Sequence, residues 1–368
     1  MKYFFFCSRL DTMFEKRKEL LSLIVNRGDT VYLCSMERHE STEENMKRLG
    51  IIHIVIPCPR NKLSFLRDAF YMISVLVWLL RVRPDAVVTY TIKPNVYCGI
   101  LLSFFKRIKF FPVVTGLGFA FQKKGVKRRV LRSFVVWLHR RAFRFSDGVI
   151  FQNRENRDFF VSENIVEKER TAVIQGDGVY VPDYNKSSFG KPLSFVCVSR
   201  LLGEKGLREL FEACKIVRCR YPDFHVSVYG PKETSPDAIT DEDIADWSES
   251  GAMIWRGYCD DVGELFGRSD IFILPSHHEG MSTAVCEAIA HGLPVIATDI
   301  PGIREMVDGN GILVPVNSSE RLANAISEML TMDIKELLEM SRASRDIAVS
   351  GFQREDVMRR VSEVVTFQ

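Results

Sequence analysis

The sequence predicts an α/β protein built from two doubly wound parallel sheets, and three observations support this fold class. The chain has 368 residues, more than one hydrophobic core usually holds. Short apolar runs alternate with helical patterns in both halves, as in parallel sheets covered by helices. Residues 176–192 are rich in Gly, Pro, Asp, Asn and Ser and lose this periodicity, which is typical of a connection. We therefore expect an N-terminal domain over residues 1–178, a linker over 179–192 and a C-terminal domain over 193–368, whose last helix is a candidate to return to the N-terminal domain.

In the N-terminal half, short apolar runs bounded by turn-forming residues predict seven strands, at residues 2–7, 30–34, 51–57, 86–90, 111–115, 148–151 and 172–174. Helical spacing of the apolar residues predicts helices at 16–26, 43–49, 65–82, 94–105, 127–145 and 153–163. Gly28, Gly50 and Pro84 follow three of these helices closely, as helix stop signals do.

The C-terminal half repeats the alternation. Strands are predicted at residues 193–199, 224–229, 252–255, 271–274, 295–298 and 311–314. Helices are predicted at 207–220, 262–267, 283–291, 319–330, 334–348 and 354–365, and the acidic stretch 233–249 is expected to be a loop with one helix. Ligands of such sheets bind at the carboxyl ends of the strands.

Composition and charge indicate the compartment and the kind of surface in which the protein works. Nine Cys without a C-x-x-C pair predict reduced thiols in a cytosolic protein, not a disulfide framework or a zinc site. The longest uncharged apolar run, residues 69–80, is shorter than the 20 or so residues that span a bilayer. The first 180 residues carry 31 Lys and Arg against 17 Asp and Glu, whereas the remainder carries 19 against 30. Basic residues interleaved with aromatics over 104–145 favour an anionic membrane surface over nucleic acid, although a solvated face has the same pattern.

The stretch 275–298 is the first candidate site. A buried strand ends at Pro275, and Ser282 is a suitable N-cap for a helix that Gly292 and Pro294 end. Because a helix N-terminus offers free N–H groups and partial positive charge, this stretch is suited to a phosphate.

Two carboxylates, Glu279 and Glu287, flank that phosphate position. A nucleotide diphosphate sugar has a ribose diol on one side of its diphosphate and sugar hydroxyls on the other, and a carboxylate accepts hydrogen bonds from either. The spacing alone fits equally well a solvated loop residue and a surface helix residue.

A second cluster follows the first strand of the C-terminal half, in the segment Ser-Arg-Leu-Leu-Gly-Glu-Lys-Gly. Arg200 and Lys205 stand there on a strand-to-helix loop, at the edge of the sheet that also carries Glu279. Two cations match a diphosphate leaving group, although surface charge explains this short motif as well.

Taken together, the clusters resemble the donor-binding half of the retaining GT-B glycosyltransferases of family 4, which are recognised by E-x7-E, here Glu279 to Glu287. The likeness covers essentially the whole chain, including the segments 255–258 and 302–316. The segments 89–100 and 113–121 resemble bacterial members that build polysaccharide repeat units on a polyprenyl diphosphate carrier. The resemblance implies two Rossmann-like domains that face each other across a cleft.

The resemblance also implies roles for individual residues. Arg200 and Lys205 would neutralise the departing diphosphate, Glu287 would hold the ribose, and Glu279 would contact sugar hydroxyls. The backbone of Gly280, Met281 and Ser282 would hold phosphate and sugar, and the base would lie near Tyr258. Leaving-group stabilisation would be the main catalytic contribution, and retention would need no carboxylate nucleophile.

The chain departs from the family pattern in the N-terminal half. Ser8 to Thr12 contain no glycine where many members have a glycine-rich loop, and Thr115, Gly116 and Gly118 occupy a loop that often carries a His. No general base is therefore assigned.

Further acceptor or cleft candidates are few. His277 and His278 lie nearby but could equally line the cleft or bond to backbone. Lys93 could meet an acceptor phosphate or be a solvated loop lysine. The D-x-D at 241–243 lies away from any strand end, so we expect metal-independent transfer without a cofactor.

Three functions are consistent with these observations. The leading one is transfer of a hexose or N-acetylhexosamine, with UDP as the first choice of nucleotide, to a lipid-linked acceptor in surface polysaccharide synthesis, at the inner face of the bacterial cytoplasmic membrane and without nucleic acid. The others are a non-hydrolysing sugar-nucleotide 2-epimerase and a non-catalytic binder of anionic lipid or nucleic acid.

Overall fold

The computed structural model describes residues 1–58, 64–116, 126–183 and 186–366. The chain forms two compact units. Unit 1 comprises Met1–Asp177 and Glu355–Gln368, and unit 2 comprises Gly178–Arg354.

Unit 1 contains a parallel sheet of seven strands in the order β3-β2-β1-β4-β5-β6-β7. The strands are β1 (Lys2–Phe6), β2 (Thr30–Ser35), β3 (Ile52–Val55), β4 (Ala86–Tyr90), β5 (Lys109–Val114), β6 (Val149–Phe151) and β7 (Thr171–Val173). The helices are α1 (Leu10–Asn26), α2 (Glu40–Arg48), α3 (Phe65–Val82), α4 (Ile92–Leu102), α5 (Val126–Phe143) and α6 (Arg154–Ser162), followed at the end of the chain by α13 (Arg354–Thr366).

Helices cover both faces of this sheet, and β1 shows why. Its side chains alternate between faces, as in every strand: Tyr3 and Phe5 pack in a core with α1 and α13, whereas Phe4 and Phe6 pack in a core with α3, α4 and α5. A strand that is apolar on both faces is stable only when both are covered, which is the usual condition of a parallel sheet.

Unit 2 contains a parallel sheet of six strands in the order β10-β9-β8-β11-β12-β13. The strands are β8 (Phe195–Val198), β9 (Val226–Tyr229), β10 (Met253–Trp255), β11 (Ile271–Leu274), β12 (Val295–Thr298) and β13 (Gly311–Val314). The helices are α7 (Leu207–Arg218), α8 (Asp241–Ser250), α9 (Val262–Arg268), α10 (Thr283–Ala290), α11 (Ser319–Thr331) and α12 (Ile334–Ile347).

The direction of winding reverses once in each sheet, between β1 and β4 in unit 1 and between β8 and β11 in unit 2. The loops that follow two such neighbouring strands diverge to opposite faces and leave a crevice at the carboxyl edge, where ligands of doubly wound sheets bind. In unit 2 these are the loops that carry Arg200, Lys205 and Glu279.

Most predicted elements lie where the sequence placed them, and α1 is the main exception. We expected this helix to begin at residue 16, but it begins at Leu10 with a non-helical residue, Arg17, inside it. The Arg17 guanidinium is buried, donates to Asp177 at 2.6 Å and lies over the Tyr90 ring. The kink is thus associated with contacts that are distant in sequence.

The segment that we expected to be a linker, residues 179–192, is part of unit 2. Phe189 is buried in the core of that unit, and Lys186 forms a buried ion pair of 3.1 Å with Asp270. Conversely α13 packs into unit 1, through Val357, Met358, Val361 and Val365.

Within the described ranges, none of the helices combines the length and the apolar character needed to cross a bilayer.

Candidate functional site

The loop between β11 and α10, residues 275–282, leads directly into a helix N-terminus. Ser282 caps α10, because its hydroxyl oxygen accepts a hydrogen bond from the Val285 N–H at 3.4 Å. This confirms the N-cap predicted from sequence. The first turn of α10 contains no acidic residue, so the partial positive charge of this helix N-terminus is suited to an anion.

The Glu279 side chain is held in this loop by two partners. Lys205 Nζ donates to Glu279 Oε1 at 2.7 Å, and Ser276 Oγ donates to the same oxygen at 2.9 Å. The Lys205 and Glu279 side chains are only 12% and 13% exposed. The structure therefore brings together two of the residues that sequence analysis assigned to catalysis, 74 positions apart.

Gly206 permits this close approach. Its φ is +71°, and a Cβ atom there would lie 2.0 Å from the backbone oxygen of Pro275. Any side chain at position 206 would therefore move the loop that carries Lys205 away from the loop that carries Glu279. The role of this glycine was not predicted, and its only signal in the sequence is a Gly directly after the basic residue.

A second glycine supports the same loop from the other side. Gly302, in the loop after β12, has a φ of +77°, and a Cβ atom there would lie 2.2 Å from the Gly280 oxygen. The Ser282 N–H donates to the Gly302 oxygen at 3.4 Å. Backbone packing therefore fixes the conformation of residues 279–282.

The loop after β8 is fixed by Asp237. The 3₁₀ turn Gly203–Lys205 is capped there, since the Glu204 N–H donates to the Asp237 carboxylate at 2.7 Å and the Gly203 N–H donates to the Asp237 backbone oxygen at 2.7 Å. Lys205 is thus presented from a short, closed turn.

Arg200 differs from Lys205 in its environment. Its side chain is 53% exposed and pairs with Glu233 at 3.4 Å and Glu204 at 3.7 Å. Both pairs are at the surface and contribute little to stability, so the guanidinium can exchange them for a phosphate. Tyr258, predicted near the nucleotide base, is also exposed.

The remaining predicted donor residues lie on α10 or just before it. Glu287 is half-buried in the second turn of the helix, and its backbone oxygen lies 2.8 Å from His291 Nδ1. Met281 is half-buried against the core of unit 2.

His277 joins two loops. Its N–H donates to the Glu204 oxygen at 2.9 Å, and its Nε2 lies 3.1 Å from Glu209 Oε1 on α7. These contacts fit the alternative, left open by the sequence, that His277 bonds to the protein. Neighbouring His278 is half-buried.

The D-x-D motif at 241–243 forms the start of helix α8. The Asp243 carboxylate accepts from the Thr240 N–H at 2.9 Å, and the Thr240 hydroxyl accepts from the Asp243 N–H at 3.1 Å, which is a capping box at the start of α8. Asp241 pairs with Lys232. Across the described ranges, no three His, Cys, Asp or Glu side chains are grouped so that they could hold a metal ion.

Unit 1 holds the predicted acceptor residues. Lys93 pairs with Asp68 at 2.7 Å, and Asp68 also accepts from the Ser64 N–H at 3.0 Å and from the Cys58 thiol at 3.3 Å. Burial acts to raise the Asp68 pKa, but the hydrogen bonds from Lys93 and Ser64 outweigh it, so the pKa is lowered. Lys93 is therefore the partner of a carboxylate and not a solvated loop lysine, and Asp68 was missed by sequence analysis.

The other unit 1 candidates follow strands. Thr115 and Gly116 are half-buried directly after β5, whereas Gly118 lies outside the described residues. At the reversal point of this sheet, Ser8 Oγ after β1 lies 2.7 Å from Thr91 Oγ1 after β4. Thr91 has a φ of +74°, which a β-branched residue rarely adopts. This pair was not predicted, although each of its residues directly follows a predicted strand.

The sequence is similar to those of known glycosyltransferases. Residues 192–332 match the family model described as glycosyl transferases group 1. The chain is 26% identical over 355 residues, 91% of each chain, to the N,N'-diacetylbacillosaminyl-diphospho-undecaprenol alpha-1,3-N-acetylgalactosaminyltransferase of Campylobacter jejuni. It is 27% identical over 327 residues, 84% of this chain and 81% of the other, to the UDP-Gal:alpha-D-GlcNAc-diphosphoundecaprenol alpha-1,3-galactosyltransferase of Escherichia coli.

The fold is also that of known structures. HepE of Anabaena, solved in complex with UDP, matches with a TM-score of 0.76 and 20% identity over the whole of both chains. WaaG, a glycosyltransferase involved in lipopolysaccharide biosynthesis, matches with a TM-score of 0.72 and 16% identity, also over both whole chains. The two parallel-sheet units are therefore those of the GT-B fold.

Proposed function

We propose that this chain, which has the GT-B fold and a glycosyl transferase group 1 domain over residues 192–332, is a retaining, metal-independent glycosyltransferase. It moves a hexose or N-acetylhexosamine from a nucleotide diphosphate sugar to a polyprenyl-diphosphate-linked sugar. The observation that carries the proposal is the enclosed Lys205–Glu279 pair on the loops next to the N-terminus of α10, whose first turn contains no acidic residue.

The two residues of the pair suit the two parts of a sugar diphosphate, Lys205 the phosphate and Glu279 the sugar. The Lys205 ammonium has three donors, so it can keep its bond to Glu279 and also donate to a phosphate oxygen. Glu279 Oε1 already accepts two hydrogen bonds, which leaves Oε2 to accept from sugar hydroxyls. Lys205 and the positive end of α10 would together stabilise the diphosphate.

In the proposed mechanism, negative charge grows on the leaving diphosphate while the bond to the sugar lengthens. Lys205, fixed in its capped turn, and Arg200, mobile at the surface, stabilise this charge, and preorganised charge of this kind is usually the largest catalytic contribution of an enzyme. The acceptor hydroxyl attacks from the face that the diphosphate leaves, so configuration is retained without an enzyme nucleophile.

Glu287 and Tyr258 take the nucleoside in this proposal. Glu287 accepts hydrogen bonds from the ribose diol, and the exposed Tyr258 ring lies near the base. UDP is the preferred nucleotide, supported by the UDP-galactose in the name of the Escherichia coli relative and the UDP bound to HepE.

The proposal of metal independence is supported by the contacts of the D-x-D carboxylates. Asp243 caps α8 and Asp241 pairs with Lys232, so neither points to a diphosphate role. The two cations and the helix N-terminus supply the positive charge that a metal ion gives in other transferases.

The acceptor part of the proposal is supported by the names of two relatives, both of which include an undecaprenyl diphosphate sugar. With such an acceptor the enzyme would work at the inner face of the cytoplasmic membrane, in surface polysaccharide synthesis such as O-antigen or capsule. The basic residues of unit 1 would attract the anionic leaflet, and Lys93, Thr115 and Gly116 are the acceptor-side candidates.

Ribose recognition gives a test of the donor site. Calorimetry would compare the Kd of UDP with that of 2′-deoxy-UDP. We expect wild-type protein to prefer UDP by roughly tenfold, since one hydrogen bond to a charged group contributes about 1.5 kcal/mol or more. Glu287→Ala should remove this preference.

Glu279→Ala is the matched control, because its assigned partner is the sugar. It should keep the preference for UDP over 2′-deoxy-UDP while weakening the binding of the complete sugar nucleotide. If Glu287→Ala kept the full preference, or Glu279→Ala lost it, the assignment of the two glutamates would be wrong.

A further inference from the structure

Helix α3 exposes a line of large apolar side chains. Five of its residues are between 48% and 80% exposed, and we call them the α3 stripe: Leu66, Phe70, Ile73, Val77 and Leu80. The only other residues of α3 in the exposed class, among those whose side chains the structure describes, are Arg67 and Arg81.

The spacing makes the stripe continuous. Steps of four, three, four and three residues bring side chains back to one face of a helix, and from Leu66 to Leu80 they extend for about 21 Å along it. The opposite face of α3 is buried in the core through Tyr71, Val75 and Leu79. A helix that is apolar on both faces is expected where the outer face also has an apolar partner.

Aromatic residues of α5 lie on the same side of the sheet, since α3, α4 and α5 share one core. Phe134 and Trp137 are about half exposed and stack with ring centroids 6.0 Å apart. Arg141 lies over the Trp137 ring at 5.8 Å. Trp beside Arg is typical of the interface between lipid and water.

The charge around the stripe identifies the partner. In the part of unit 1 that the structure describes, the exposed cations without a carboxylate within 4 Å include Arg67 and Arg81 on α3, Arg83 directly after it, Lys106 and Arg107 after α4, and Arg141 and Arg144 at the end of α5. Neighbouring cations such as Lys109 and Arg132 do pair, with Asp147 and Glu163. A second copy docked by two-fold symmetry would bring these unpaired cations near their own counterparts, whereas anionic lipid would neutralise them.

We infer that the α3 stripe inserts into the interfacial region of an anionic phospholipid bilayer, while Trp137 and the unpaired cations contact headgroups. This inference rests on the membrane localisation in the proposed function. It adds an apolar contribution to membrane binding beside the electrostatic one. Attraction by charge alone is screened at high salt, whereas buried apolar area is not.

Vesicle flotation tests the inference. Purified full-length protein would be mixed with phosphatidylcholine vesicles containing or lacking phosphatidylglycerol, at 0.1 M and 1 M NaCl. The double variant Ile73→Glu/Val77→Glu places two charges in the stripe. The matched control is Leu23→Glu, at an exposed leucine of α1, on the opposite face of the same sheet.

Wild-type protein and Leu23→Glu should float with anionic vesicles and keep part of this binding at 1 M NaCl. The double variant should bind about tenfold more weakly or less and lose the salt-resistant part altogether. A milder double variant, Ile73→Ser/Val77→Ser, should also bind anionic vesicles more weakly than wild type. Its unfolding midpoint should equal that of wild type, which would show that the fold is intact.

Undiminished binding of both double variants would overturn the inference. It would also fail if light scattering showed a wild-type dimer that Ile73→Glu/Val77→Glu converts to a monomer, because the stripe would then belong to a second copy. The Kd of UDP reports on the proposed donor site separately and should be the same in all these proteins.

Discussion

At the residue scale, the two cations of the donor site differ in how much freedom they have. Lys205 is enclosed with Glu279, so removing either member leaves a poorly solvated charge. Arg200 is at the surface between two glutamates that it can leave at little cost. Lys205 is thus preorganised, whereas Arg200 is available to follow the departing diphosphate.

Asp270 illustrates a buried carboxylate that serves the fold. It accepts from the Ser194 N–H and hydroxyl, both at 2.9 Å, and pairs with Lys186. Burial acts to raise the Asp270 pKa, but the Ser194 N–H and the Lys186 charge outweigh it, so the pKa is lowered. The ionised form is therefore favoured in the folded state.

Asp270→Ala should lower the free energy of unfolding by about 3 kcal/mol or more at pH 7, because Lys186 is left buried without its partner. A carboxyl group whose pKa is lower in the folded state stabilises above its unfolded pKa, about 3.9, and loses this effect as the pH falls through the folded value. Urea unfolding should give a constant gap between wild type and variant above about pH 5. The gap should narrow below that pH, and one that widened on acidification would contradict the assignment.

Local chemistry made some residues of the site predictable. Ser282 was identified as an N-cap because its signal lies within four residues of sequence, and Arg200, Lys205 and Glu279 because strand ends meet at one edge. Asp68 and Asp270 were not, since their partners include Lys93 and Lys186, 25 and 84 residues away. A single sequence does not show which distant charges meet.

At the element scale, the donor site depends on how closely two loops approach. Gly206 lets the turn that carries Lys205 touch the backbone after β11. The strands β8 and β11 pair directly, so the loops that follow them start side by side. Glycine removes the last steric obstacle between them.

Gly206→Ala should therefore lower both the free energy of unfolding and the rate of sugar transfer. Gly309→Ala is a matched control, because Gly309 also has a φ of +71° but a Cβ atom there would meet nothing within 4 Å. The control should cost only the strain of the left-handed conformation, about 1–2 kcal/mol. Gly206→Ala should cost clearly more in chemical denaturation, and equal costs for the two variants would show that the loops are not in contact.

The elements themselves were largely predictable, because their signals are local periodicity and stop residues. Strand β11 and helix α3 have the predicted ends. The start of α1 was wrong by six residues, since its first turns contain Arg17, whose partner Asp177 lies far along the chain. The role of Gly206 needed a distance between two loops.

At the scale of the whole molecule, the last helix decides how the chain is divided. Helix α13 begins where unit 2 ends and contributes four buried residues to the core of unit 1. The sequence showed an amphipathic helix there, but periodicity does not identify the sheet against which a helix packs. Its return was therefore only a candidate until the packing was known.

Val357→Asp tests this division, since Val357 is fully buried in unit 1. An unpaired charge in that core should cost about 4 kcal/mol or more. Hydrogen exchange should show reduced protection in β1 and β4, with protection retained in β8 and β11. Val349→Asp, at an exposed valine of unit 2, is the control and should change neither, and a loss confined to residues 178–354 would contradict the division.

The central claim is that the enclosed lysine stabilises a diphosphate leaving group during sugar transfer. The most direct measurement is the rate at which wild type and Lys205→Ala form product from UDP-sugars and a polyprenyl-diphosphate-linked sugar, followed by mass spectrometry with and without acceptor. We expect product only with acceptor, and a kcat lower by about 10²- to 10³-fold in the variant. Donor converted without acceptor, or an undiminished kcat in Lys205→Ala, would contradict the account.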